Sequence, residues 1–416
     1  MSSIPTTIRY AHPQAVLWVV CLIGLIAVAG IALPYPILAP LFAASTPDDF
    51  NHWRGIAPQI LLGIALAANP LGMLFGSATL GALSDHYGRR RVLAMALTLA
   101  IAGYLGSAWA LAEQWYPGFV LFRFLTGLCE GAVSICRAIA ADLHPQIERT
   151  VAISWMNSAL YSAWLVGPLL GGLTMHLGAE VPFLIAAAAM LPCLLLLYFL
   201  LPADLPVSRE VEFWQQLHQH NSLRLVRVPA LQLVVAAQLL YTIGLNAFYE
   251  YYPLWLVEHQ QFSGLQIGLI TAVLCAVMTA VSAVGMAKYG SRYPALQSCR
   301  YAAIIMAVLL MILPFTNGPV AWVCLVLCGI PNAMFSAWFQ VYCTEQFGDL
   351  GLGRVMGLLT LLMCTGNVII ALAGGVIALL GASWILWTGA LFIGVAAWTL
   401  RQEQQRQVSL RASVVA

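Results

Sequence analysis

Gly81-Ala-Leu-Ser-Asp85-His-Tyr-Gly88-Arg89-Arg90-Arg91 lies between two long apolar runs, and that setting decides the fold. The run before it, Leu61 to Leu83, is long enough to cross a bilayer at about 20 residues per span. Charges packed directly behind such a run must sit in water at one membrane face. Gly81 and Gly88 allow two helix ends and a tight turn to approach without a Cβ in the way. The segment therefore reads as a charged hinge between two transmembrane helices, and not as a loop that only sets topology.

Composition agrees with this setting. Charged residues make up 8% of the chain and hydrophobic residues 61%, where a soluble domain carries about 25% charged residues. A mean hydropathy of +0.87 leaves more apolar surface than a water-soluble fold of 416 residues can hide. The net charge of +2 and the lack of a basic patch argue against nucleic-acid binding. All ten cysteines fall in or beside apolar runs, so none belongs to a secreted disulfide framework. Cys324 and Cys328 share a helix face but lack further ligands, and no metal site is expected. The first apolar run is too long for a signal-peptide core and reads as an uncleaved span.

Twelve stretches reach spanning length, at roughly 16–42, 58–83, 92–112, 118–141, 150–175, 182–201, 231–257, 265–288, 299–315, 320–344, 355–380 and 384–400. Their length makes them helices, because barrel strands would be shorter and would alternate. With the N-terminus inside, every Lys and Arg but Arg54, Arg123 and Arg137 falls on the cytoplasmic side. That asymmetry predicts an even number of spans in the cell (inner or plasma) membrane, with both termini cytoplasmic. The longest polar stretch, Asp204 to Arg227, divides the spans six and six. The expected organisation is thus a bundle over 1–203, a cytoplasmic linker over 204–230 and a second bundle over 231–416. Phe213, Trp214 and Leu217 in the linker have the spacing of a surface helix, and His218 and His220 read as solvated. A weak repeat supports the division. Glu148-Arg149 and Gly171-Gly172 of span five are echoed by Gly353-Arg354 and Gly374-Gly375 of span eleven, while 285–292 looks like an eroded copy of the hinge.

These residues resemble the major facilitator superfamily over nearly the whole chain. Gly81, Leu83, Asp85, Gly88, Arg89 and Arg90 match that family's loop signature G-x-L-x-D-x-x-G-R-R, and Arg123 with Gly127 and Gly131 is similar to its helix-four signature. Gly167-Pro168 and Gly171-Gly172 resemble the helix-five signature of the drug-exporting proton antiporters, with Ala163 where a glycine is common. The resemblance implies an all-α membrane protein with two pseudo-symmetric six-helix bundles. It also implies that helices one, four, seven and ten line a cavity, and that Asp85 contacts the start of span eleven near Arg354 in the outward-open state. Physical chemistry supports that contact, since the dipole at a helix N-terminus attracts a carboxylate. Arg89 and Arg90 are expected against inner-leaflet phosphates or acids such as Asp142 and Glu148. Gly167, Pro168, Gly171 and Gly172 are expected to form a kinked, close-packed seam that seals the pathway.

Span four carries the most chemistry. Arg123, Glu130 and Arg137 recur every seven residues, which in a continuous helix puts them on one face about 10.5 Å apart along the axis. A charge at mid-membrane is costly enough that this face should meet protein or a wet cavity. A buried ion-pair ladder that locks helices together is the structural alternative. The functional reading makes Glu130 the proton carrier and the arginines its counter-charges or an anion clamp, since arginine keeps its proton. Asn246, Tyr249 and Glu250 in span seven join the proton- and substrate-binding set, while Tyr251, Tyr252 and Trp255 divide between cavity lining and an interfacial aromatic belt. Span ten supplies Asn332, Ser336, Trp338, Gln340, Tyr342 and Glu345, with Asn157, Tyr161, Trp164 and Asn367 as second-rank candidates.

The expected protein is not an enzyme. It is a proton-coupled exporter of a small organic solute, such as an anionic metabolite, siderophore or drug, that acts as a monomer by alternating access. It needs no cofactor beyond the proton gradient. Import by proton symport is the second expectation, followed by a passive channel or a membrane receptor.

Overall fold

The computed structural model describes residues 12–44, 47–201, 222–282, 293–347, 350 and 352–415, and they are helical almost throughout. Ten helices, counted among the described residues, are long and apolar enough to cross a membrane. α7 (Arg149–Thr174) and α10 (Gly264–Ala280) complete twelve columns. Span one is α1 (Pro13–Ala32) followed by α2 (Tyr35–Phe42), and span two is α3 (Pro58–Tyr87). Next come α4 (Arg89–Ala112), a fourth span divided into α5 (Tyr116–Glu130) and α6 (Ala132–Asp142), then α7 and α8 (Val181–Leu200). The second bundle holds α9 (Gln232–Gln260), α10, α11 (Ala295–Ile312), α12 (Gly318–Phe347), α13 (Leu352–Ile377) and α14 (Ala382–Val415).

The breaks have local causes. Pro34 and Pro36 follow Ala32, and a missing backbone N–H with a fixed φ interrupts the first span at Leu33-Pro34. Pro70, Pro168, Pro192, Pro253 and Pro331 sit inside α3, α7, α8, α9 and α12, where each removes one backbone N–H from the helical ladder. Gly88 ends α3 and starts α4 at φ 98° and ψ 142°, a region open to glycine almost alone. Gly88→Ala is therefore expected to cost about 1–3 kcal/mol. A thermal-inactivation series in detergent checks this, and a half-life equal to wild type contradicts it.

Glycines set where the bundles touch. A Cβ on Gly172 of α7 would lie 2.7 Å from Gly264 O and 3.0 Å from Gly268 Cα of α10. On Gly375 of α13 it would lie 2.8 Å from Gln59 O and 3.2 Å from Gly63 Cα of α3. The two seams exchange under the internal two-fold, span five on eight and span eleven on two. Both lie in the half of the molecule away from the Gly88–Arg91 hinge. In that same half the run Glu250–Leu256 of α9 is buried throughout. Nearer the hinge, polar side chains are exposed instead: Arg137, Tyr161, Ser336 and Gln340. The bundles pack closely at the face opposite the hinge, and these exposed polar side chains lie toward the hinge.

Several expected features lie outside the described residues: Phe213, Trp214, Leu217, His218 and His220, and the hinge-like segment 285–292. The side chains of Asp85, Arg149 and Arg354 also lie outside them. Of the expected linker, Ser222–Arg227 forms a short 3-10 helix.

Candidate functional site

The site begins with a third glycine seam, inside the first bundle. Gly127 of α5 meets the backbone of Asn69, Gly72 of α3 meets Phe124 and Leu128, and Gly131 meets Gly76. Without Cβ atoms α3 and α5 come into backbone contact, and that contact brings Asn69 to Glu130. The Asn69 amide donates to Glu130 Oε1 at 2.7 Å and lies 3.4 Å from Thr126 Oγ1. Asn69 and Glu130 are both buried, at 1% and 6% exposure. Glu130 Oε2 has no protein partner.

Arg123 is also buried, yet it does not close an ion pair with Glu130; its Nε and one terminal nitrogen have no protein partner. Tyr104 is buried in α4 with its hydroxyl unpaired, beside Gly30 of α1. Tyr35 opens α2 at the Leu33-Pro34 break. Its ring stacks on Trp164 of α7 at 6.4 Å.

Arg137 does not share this burial. Gly131, between α5 and α6, keeps helical dihedrals of φ −54° and ψ −18°, so the two pieces form one column over Tyr116–Asp142. Arg137 is exposed on the hinge side, near Tyr161 of α7. Of the three expected charges, Arg123 and Glu130 are buried and Arg137 is exposed.

The second bundle faces them with Glu250, 3% exposed and with neither oxygen partnered. Below it Asn332 Nδ2 donates to Tyr249 Oη at 2.9 Å, Tyr249 contacts Met278 Sδ at 2.8 Å, and Tyr241 Oη lies 3.4 Å from Asn332 Oδ1. Asn246 is half-buried with an unpaired amide nitrogen. Tyr251, Tyr252 and Trp255 are at most 1% exposed, so they belong to the interior and not to an interfacial belt. Tyr251 donates to Ala371 O of α13 at 2.6 Å, and Tyr252 pairs with Thr271 of α10.

The gating candidates also have definite neighbours. Gly167 and Gly171 press on Ala29 and Leu33 of span one, while Pro168 and Gly172 press on Gly268 across the bundles. One motif therefore serves two interfaces, because its glycines point two ways around the helix. Arg89 pairs with Asp142 at the end of α6. Arg90 donates to Tyr198 O at 2.7 Å and covers the Tyr198 ring at 4.8 Å. Both arginines tie the hinge to the ends of spans four and six. Gly81 is half-buried, and a Cβ there would find only Ser134 Oγ, at 4.0 Å.

Two six-helix bundles around a buried polar seam define a secondary solute carrier. The chain belongs to the Major Facilitator Superfamily, whose family model matches residues 20–371. Members of that family are transporters, not enzymes, and work without a cofactor. The multidrug resistance protein MdtG of Salmonella paratyphi A is 25% identical over 332 residues, 77% of this chain and 76% of that one. The human organic anion transporter MFSD10 is 21% identical with a TM-score of 0.66, covering 93% of this chain and 99% of its own. A D-xylose–proton symporter is 18% identical with a TM-score of 0.73, covering 93% and 96%. The nucleoside transporter NupG is 12% identical with a TM-score of 0.75, covering 94% and 99%. The structural likenesses establish the fold. Asn69, Tyr35 and Tyr104 are the site residues that sequence reasoning missed.

Proposed function

We propose that this chain is a proton-coupled exporter that exchanges an anionic or zwitterionic organic solute for protons by alternating access. The observation that carries this reading is the set of buried charges left without partners: Glu250 with both oxygens free, Glu130 with one, and Arg123 with two nitrogens. Burying a lone carboxylate as an ion costs several kcal/mol. The closed state therefore favours a proton on such a group, and hydration on opening favours its release. Arg123 cannot give up a proton and serves as the fixed charge that an anionic cargo neutralises. Arg137, exposed beside Tyr161, is the first cation such a cargo meets from the hinge side.

In this reading the hinge face is cytoplasmic, both termini lie there, and 1–203 and 231–416 rock as units about the 204–230 connection. The likeness to a multidrug resistance protein supports export. Everted membrane vesicles with an acidified lumen test the direction, using a panel of carboxylate-bearing siderophores and anionic or zwitterionic antibiotics. Antiport predicts that a transported compound makes the lumen more alkaline as it accumulates there. Co-movement of proton and compound means symport and overturns the proposal. Arg137→Gln is expected to lower uptake of the anionic compound about tenfold, the scale of one lost hydrogen bond to a charged group.

A further inference from the structure

Among the described residues one hydrogen bond reaches the Glu130 carboxyl: Asn69 Nδ2 donates to Oε1 at 2.7 Å, and Oε2 has no partner. The two oxygens are therefore unequal, and the inequality comes from a neighbouring helix. An amide nitrogen donates and never accepts. While that nitrogen faces Glu130, Oε1 must accept from it in both the ionised and the protonated carboxyl. In the protonated form Oε1 is then the carbonyl oxygen, and the acid proton is left to Oε2.

This holds only if the amide keeps one orientation. Turned over, its oxygen would face Oε1 and accept a proton from it. Thr126 decides between the two. Its hydroxyl donates to Arg123 O at 2.8 Å, so its single proton is used within α5. The Thr126 oxygen is left to accept, and Asn69 Nδ2 lies 3.4 Å from it. A turned amide would instead set its oxygen against another oxygen that has no proton to offer. Thr126 thus holds the amide with its nitrogen toward Glu130.

The backbone fixes the rest. A Cβ on Gly127 would collide with the Asn69 carbonyl, and one on Gly72 with the Phe124 carbonyl. Both obstructing atoms are backbone, so α3 and α5 touch at Asn69 and again three residues further along α3. Asn69 and Thr126 are each 1% exposed, which keeps bulk water from competing for the amide.

We infer that Asn69, oriented by Thr126, is a positioning residue for the proton step, making Oε1 a permanent acceptor so that Glu130 takes up and releases its proton at Oε2. On release the Oε2–H bond breaks, its electron pair stays on the carboxylate and the proton passes to water of the opened pathway. The bond from Asn69 becomes charge-assisted at that moment and offsets part of the cost of the buried charge. The assignment rests on Glu130 as the proton carrier, as proposed above.

Infrared difference spectra of the full chain in liposomes, taken between acidic and alkaline samples, test it. Glu130→Gln identifies the Glu130 carbonyl band by removing it. Wild type is expected to show one band, at the lowered frequency of a hydrogen-bonded acid carbonyl. Asn69→Leu keeps the side-chain volume without the donor and should move the band to the higher frequency of an unbonded carbonyl. Thr126→Val lets the amide turn and should split the band in two, which also serves as the test if Asn69→Leu does not fold. The ratio of uphill accumulation to counterflow should fall about tenfold or more in Asn69→Leu, the scale of one hydrogen bond to a charged group. A Glu130 band absent from wild type at every pH overturns Glu130 as the carrier and this assignment with it. A band present in wild type but unmoved by Asn69→Leu, or unsplit by Thr126→Val, overturns the assignment alone.

Discussion

Glu130→Gln is expected to abolish uphill transport while leaving energy-independent exchange of cargo across the membrane in place. The amide keeps an oxygen to accept from Asn69, whose Nδ2 lies 2.7 Å from Glu130 Oε1, and so preserves the contact between α3 and α5. It cannot bind or release a proton. One elementary charge moving through 100 mV is worth about 2.3 kcal/mol, which sustains roughly a 50-fold cargo gradient at 1.4 kcal/mol per tenfold. On the proposed coupling through Glu130, its loss should collapse that gradient to unity, a change of about 50-fold for each proton coupled at that potential. Counterflow in proteoliposomes separates the two activities, since it needs binding and rocking but no gradient. Retention of uphill accumulation in Glu130→Gln would move the coupling to Glu250, whose two oxygens are equally without partners. Loss of counterflow along with accumulation would instead mark Glu130 as a packing or cargo group.

The transmembrane columns were legible because twelve apolar runs of spanning length leave few alternatives once 61% of the chain is hydrophobic. The charged members of the site were legible for the same reason, as Arg123, Glu130 and Glu250 stand out in apolar surroundings. Their partners were not. Asn69 is one amide in a long apolar run, and only the contacts of Gly72 and Gly76 with α5 bring it to Glu130. Tyr35 and Tyr104 look like ordinary aromatic residues until the Leu33-Pro34 break and the space beside Gly30 place them near the charges. Spacing along α5 and α6 did not show how deeply each charge is buried: Arg123 and Glu130 are enclosed while Arg137 is exposed.

The seams where the bundles meet lead to the other large effect. Gly172→Val is expected to hold the carrier open at the face away from the hinge and to cut transport about fivefold or more. A Cβ at this position would lie 2.7 Å from Gly264 O and 3.0 Å from Gly268 Cα. Both are backbone atoms of α10 that cannot rotate aside as a side chain could. Overpacking of this kind typically costs about 1–3 kcal/mol, but only in the state where α7 and α10 touch. The open state escapes the clash, so the equilibrium between the two shifts by roughly fivefold to more than a hundredfold. Every cycle must pass through the closed arrangement, and turnover falls with its population. Spin labels on Glu113→Cys and Leu380→Cys, one on each bundle at that face, would report the shift as a longer component in their distance distribution. The ten native cysteines are all buried, which limits background labelling. Because the clash belongs to one conformation, Gly172→Val should leave cargo binding from the open face intact even as turnover stops. An unchanged distance distribution with normal transport would show that the glycine contact does not seal the pathway. The internal two-fold extends the expectation to Gly375→Val, where the obstructing atoms are Gln59 O at 2.8 Å and Gly63 Cα at 3.2 Å. Two substitutions far apart in sequence should therefore favour the same open state, because each removes one half of the same closure.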